Sequence, residues 1–187
     1  MLARLTQVAR LLLAFEYILN GLNWWWKVLP YPSVSDPPLG QTPPFVQAMI
    51  DTGFMFAGTK AVEVLTGAML LANLWVPLAL VVAFPVTVGI WSVDFFLISH
   101  SLRAQLLGWS VLTLNTYLLF AYIRYFLPML VARASPLGAE VGGVEPQAVS
   151  VSAGARQVLA VFGIVAVALG GVTSGWLIVM VAQQVTR

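Results

Sequence analysis

The chain has 187 residues, of which 60% are hydrophobic and 9% charged, with a formal net charge of +2. A soluble domain carries roughly 25% charged residues, so this composition excludes a water-facing globule and points to an integral membrane protein, each crossing of which takes about 20 apolar residues. The few cations form no run able to track a phosphate backbone, which excludes nucleic acid as a partner. The lack of cysteine excludes disulfides, iron–sulfur clusters and thiolate metal sites within the chain.

In chain order, apolar stretches of spanning length predict five membrane helices, at residues 5–25, 54–74, 76–98, 106–127 and 157–182. The first begins like a signal peptide, with Arg4 and Arg10 ahead of an apolar run. Glu16 interrupts that run and no small-residue cleavage motif follows, so it reads as a retained span. At its end Trp24, Trp25 and Trp26 precede Lys27, the pattern of an interfacial anchor. Successive helical residues point about 100° apart, so the three cannot all face one ligand, although flat aromatic faces suit a quinone ring, a carotenoid or another subunit.

Residues 30–44 hold Pro30, Pro32, Pro37, Pro38, Pro43 and Pro44. They cannot form a regular helix, and unpaired carbonyls at membrane depth are too costly, so this stretch is expected to cap one membrane face. A short interfacial helix is expected after it, at 45–52. The second and third spans are joined through residues 73–77, ending in Pro77, and should form an antiparallel hairpin. Residues 133–156, rich in Gly, Pro and small polar residues, read as a flexible linker. The fifth span then changes to Ala, Val and Gly, with Gly171 and Gly175, and likewise Ala166, Gly170 and Ser174, spaced for close helix approach. Placing the N-terminus in the cytoplasm puts Arg4, Arg10, Arg124, Arg133 and Arg156 inside against Lys27, Arg103 and Arg187 outside, in keeping with the positive-inside rule.

An ionisable group in hydrocarbon costs at least about 2.5 kcal/mol, so Glu16, Lys60, Glu63 and Asp94 are the leading site candidates. Lys60 and Glu63 share a helix face by their three-residue spacing. Two readings stay open: Lys60 neutralises Glu63 or Glu16 and locks two helices in register, or the groups line an outward-opening pocket. In the second, Glu63 accepts protons, as quinol oxidation requires, and Asp94 or His100 leads to the aqueous phase. His100 is the single histidine and cannot by itself build a metal centre or bind haem from both sides. No metal site is expected, and no cofactor is held by this chain alone, with quinone the candidate cofactor.

A series of short motifs, in order, carries a family resemblance. They are Arg10-Leu-Leu-Leu-Ala14 and Asn20-Gly-Leu-Asn23, Leu29-Pro-Tyr-Pro32 and Asp51-Thr-Gly-Phe54, Lys60-Ala-Val-Glu63 with Gly67 and Leu70-Leu-Ala-Asn73, Val76-Pro-Leu-Ala79 and Phe84-Pro-Val86, then Tyr117-Leu-Leu-Phe-Ala-Tyr122 and Phe126-Leu-Pro-Met129. From residue 10 to about 136 the chain resembles the DoxX-like membrane protein family. The resemblance implies an all-α transmembrane fold with a four-helix core at 1–132, to which this chain adds the linker 133–156 and a fifth helix within 157–187. It also implies, in some relatives, a membrane subunit of a quinone-linked oxidoreductase such as thiosulfate:quinone oxidoreductase. Two positions depart from the family's pattern: Asp94 stands where relatives often carry histidine, and Asn115 where they carry glutamate.

The expected function is an accessory or scaffolding subunit of a larger respiratory or photosynthetic electron-transfer complex in the bacterial inner membrane. Its partners would be other membrane subunits, met through the 157–182 helix, and quinone, carotenoid or another pigment touching Glu16, Trp24, Trp25, Trp26 or His100. The alternatives are a quinone-binding oxidoreductase subunit, with Glu63, Lys60 and Asp94 as catalytic candidates, and a small transporter.

Overall fold

The computed structural model describes residues 1–27, 29, 43–98, 102–127 and 152–186. Among them every regular element is a helix: α1 (Leu2–Trp26), α2 (Pro44–Asp51), α3 (Met55–Leu71), α4 (Val76–Ser92), a π turn continuing it (Val93–Leu97), α5 (Leu102–Ala121), the short α6 (Ile123–Phe126) and α7 (Ala153–Val185). His100, most of the proline-rich cap and most of the expected linker lie outside the described residues.

Local chemistry sets the helix ends. Lys27 turns left-handed (φ 49°) and its N–H bonds the Asn23 carbonyl, while the Asn23 side chain accepts from Leu29 N–H at 2.7 Å. Pro44 opens α2, where a missing N–H costs nothing. Gly53, at φ 77°, lies between α2 and α3, whose axes bend by 92°. The α3–α4 turn uses Asn73 at φ 57°, a conformation asparagine tolerates, and Leu74 N–H reaches back to the Met69 carbonyl at 2.9 Å.

Two boundaries differ from expectation. Helix α7 starts at Ala153 because the Ser152 side chain caps it, accepting from Ala155 N–H at 3.2 Å. Residues 153–156, expected as linker, are therefore its first turn. Helix α5 starts at Leu102 rather than 106 and is interrupted at Tyr122.

Helix α1 packs against α3, α5 and α7, α4 packs against α3 and α5, and α5 also packs against α7. The α1–α3 approach is antiparallel and very close. A Cβ on Gly21 would stand 2.8 Å from the Lys60 carbonyl, and one on Gly67 would stand 3.1 Å from the Ala14 carbonyl. Branched side chains crowd the same places, Val64 at 2.6 Å from a Cβ on Gly21 and Ile18 at 2.8 Å from one on Gly67, so glycine is needed where backbone and side chain close in together. On α7 the two small-residue series separate. Ala166, Gly170 and Ser174 are buried against the bundle, whereas Gly171 and Gly175 face outward with open space around them.

Among the described residues three helices are long and apolar enough to cross a bilayer: Val76–Leu97, Leu102–Ala121 and Ala153–Gln183. The bent pair Pro44–Asp51 and Met55–Leu71 would make a fourth if counted as one span. At about 1.5 Å per residue, the 33 residues of α7 exceed a hydrocarbon core of about 30 Å, so α7 either tilts or projects beyond it. Substituting Gly67 with Val should cost about 1–3 kcal/mol by overpacking α1 against α3. Gly171→Ala should stay within roughly 0.5 kcal/mol of the parent, both read as detergent-solubilised unfolding midpoints.

Candidate functional site

Three groups of polar side chains lie inside the bundle, and α1 contributes to two of them. In the first, α1 turns the Glu16 carboxylate inward, where it is fully buried. Ser110 Oγ on α5 donates to Glu16 Oε1 and Oε2 at 2.8 and 3.0 Å. From α7, Thr173 Oγ1 lies 2.5 Å and Ser174 Oγ 3.3 Å from Glu16 Oε1. Thr173 and Ser110 also touch each other at 2.9 Å.

One residue on, Tyr17 builds the second group. Its hydroxyl bonds Thr87 on α4, and Asn115 Nδ2 on α5 donates to both oxygens, at 2.9 Å to Tyr17 and 2.8 Å to Thr87. Thr87 in turn donates to the Ala83 carbonyl of its own helix at 3.0 Å. All three side chains are fully buried, and Asn115 Oδ1 is left without a partner among the described residues.

The third group is Lys60 and Glu63 on α3. Lys60 Nζ donates to both carboxylate oxygens, at 2.8 and 3.0 Å, and sits 5.5 Å from the Phe56 ring centroid. Glu63 is buried, while the Lys60 side chain is 16% exposed. Of the two carboxylates that could neutralise Lys60, Glu63 is the one it bonds. Asp94, in the π turn after α4, is half-buried against Gly108 of α5 and within electrostatic reach of Lys60 and Glu63. Glu16 and Tyr17, adjacent on α1, place the first two groups side by side.

The tryptophans disperse, as their spacing requires. Trp24 packs edge-on against Phe56, with ring centroids 4.8 Å apart, and Trp25 is exposed. Trp26 lines an apolar groove of about 360 Å³ along the outer face of α1, with Phe15, Ile18, Leu19, Leu22, Asn23 and Leu71. Glu16 points away from that groove into the bundle, so the structure does not bring Glu16 and Trp26 to one ligand. Among the described residues no cluster of His, Asp and Glu is placed to hold a metal ion.

Sequence reasoning missed Ser110, Thr173 and Ser174 as partners of Glu16, and Tyr17 and Thr87 as partners of Asn115. Serine and threonine in an apolar helix satisfy their own i−4 carbonyls, as Thr173 does with Leu169 at 3.1 Å, so their presence names no partner on another helix. Arg10 was also missed. Its buried guanidinium donates to the Leu70 carbonyl at the C-terminal end of α3, which also accepts from Asn73 N–H at 3.2 Å.

No family model matches the chain, and no curated protein or solved structure matches it either.

Lys60→Met should destabilise the bundle by about 3–5 kcal/mol, because it strands a buried carboxylate. The double substitution Lys60→Met with Glu63→Gln should recover most of that loss. Equal losses in the single and double variants, measured by unfolding in mild detergent, would show that the pair does not hold the bundle.

Proposed function

We propose that this chain is a five-span accessory subunit of a larger membrane assembly, with α1 and α3 crossing the bilayer beside the three more apolar helices. The observation that carries this reading is the enclosure of the interior polar groups. Glu63 gives both oxygens to Lys60 on its own helix, and Glu16 is fully buried among hydroxyls. The Glu16 group binds α1 to α5 and α7, and the Lys60 contact neutralises Glu63 within α3. The outer faces are apolar, with Leu78, Val81 and Val82 on α4 and Val161, Ile164 and Val172 on α7 exposed. Lipid covers such surface, and so does a neighbouring subunit.

The resemblance to the DoxX-like family supports a quinone-linked electron-transfer complex as that assembly. It also supports reading the chain as a four-helix core with α7 added, set in a bacterial inner membrane with the N-terminus cytoplasmic. A second reading, a quinone-binding oxidoreductase subunit, draws on the groove beside Trp26, whose apolar lining suits a prenylated ring.

Affinity purification of the tagged full chain from native membranes in mild detergent separates the two. Recovery of a stoichiometric complex carrying haem or pigment on other subunits supports the accessory reading, and recovery of the lone chain with bound quinone supports the second. Glu63→Gln should lower the yield of that complex without a separable loss of turnover. An intact complex with turnover abolished would overturn the accessory reading.

A further inference from the structure

The three acidic side chains at depth stand in three different situations. Glu63 has an ammonium at 2.8 Å. Asp94 is half-buried near the end of α4. Glu16 is fully enclosed, and its partners are hydroxyls from α5 and α7, with no cation among the described residues.

The charged groups on the helices around it are engaged elsewhere or far along their helices. On α3, Lys60 is bound to Glu63. On α1 itself Arg10 is bound to the Leu70 carbonyl, and Tyr17 bonds Thr87 and Asn115. On α5, Arg103 lies near the helix start, 5.5 Å from the Trp176 ring centroid. Asp94 on the α4 extension lies against Gly108. The described part of α7 carries Arg156 as its one charged residue, over four turns before Thr173.

An unpaired carboxylate in such surroundings keeps a full charge without solvent, whereas the neutral acid needs only hydrogen bonds. Those bonds are present for the acid. A proton on Glu16 Oε1 is donated to Thr173 Oγ1, whose own hydrogen turns to the Gly170 carbonyl at 3.0 Å. Ser110 still donates to Glu16 Oε2 at 3.0 Å. Ser174 donates to the remaining lone pair of Glu16 Oε1 at 3.3 Å, so each of these donors has an acceptor and no charge remains. The hydroxyls lie within hydrogen-bonding distance of the carboxyl, and Thr173 of Ser110, so the space between them is closed to a metal cation.

We infer that Glu16, with Ser110, Thr173 and Ser174, is an intramembrane proton-binding site that holds a proton at neutral pH and binds α1 to α5 and α7 as a neutral acid. The site stands independently of the accessory-subunit reading. It takes its proton from water and gives it back only when charge can be tolerated there, so raising the pH should loosen α7 from α1.

Infrared spectroscopy of the purified full chain at neutral pH tests this. The expected result is a carbonyl stretch of a protonated carboxyl that shifts in D2O, is lost in Glu16→Gln and is retained in Glu63→Gln. In Thr173→Val, which keeps the acid but removes a partner, the band should move to higher frequency. Glu16→Gln, itself neutral and isosteric, should keep the parent's unfolding midpoint at neutral pH. Absence of the band in the parent, its survival in Glu16→Gln, an unmoved band in Thr173→Val, or its loss on adding sodium chloride would each overturn the assignment.

Discussion

Hydrocarbon offers no hydrogen-bond partner, so a polar atom carried to membrane depth must find one on its own helix or another. Helix α1 carries three large polar side chains inward, and the bundle is arranged around satisfying them. Arg10 meets the exposed carbonyl end of α3. Glu16 meets α5 and α7, and Tyr17 meets α4 and α5. Each of the other four long helices is tied to α1 by at least one of these side chains. Near the start of α1, Thr6 adds a further contact to the Tyr117 hydroxyl at 3.1 Å.

Apolar packing alone would not set this arrangement, because lipid tails compete on equal terms with Leu and Val for a helix face. Close approach and polar pairing are what distinguish a protein neighbour from lipid. Gly21 and Gly67 bring α1 and α3 close to backbone contact, and Gly163 and Gly170 let the Tyr117 and Leu114 side chains of α5 lie directly on α7. The α7 face that carries Gly171 and Gly175 has no such partner among the described residues. The fifth helix is thus seated on its own bundle on one side and presents small residues on the other.

The helical class and the most apolar segments were legible from composition and run length. Lys60 and Glu63 were legible as a pair because both lie on one helix at a spacing that forces them together. Glu16 was legible as an anomaly but not as a site. Its partners are 94 and 157 residues away in the chain, and a serine or threonine in an apolar helix carries no mark of where its hydroxyl points. Asn115 stood out only as a departure from the resembled family, and the partners it takes, Tyr17 and Thr87, come from two other helices. The start of α7 was misread because Ser152 sits among glycines and small polar residues, where its role as a cap has no distinct pattern.

The central claim is that α1 organises the bundle through these inward polar side chains. Because the chain has no cysteine, a pair introduced at the exposed positions Leu11 and Val172 can be spin-labelled without background. The distance distribution between α1 and α7 is the most direct measurement. The account predicts one narrow distance in the parent and a broadened, longer distribution in Glu16→Leu, which removes the carboxyl but keeps an apolar side chain. An unchanged narrow distance in Glu16→Leu would contradict it, showing that apolar packing alone seats α7.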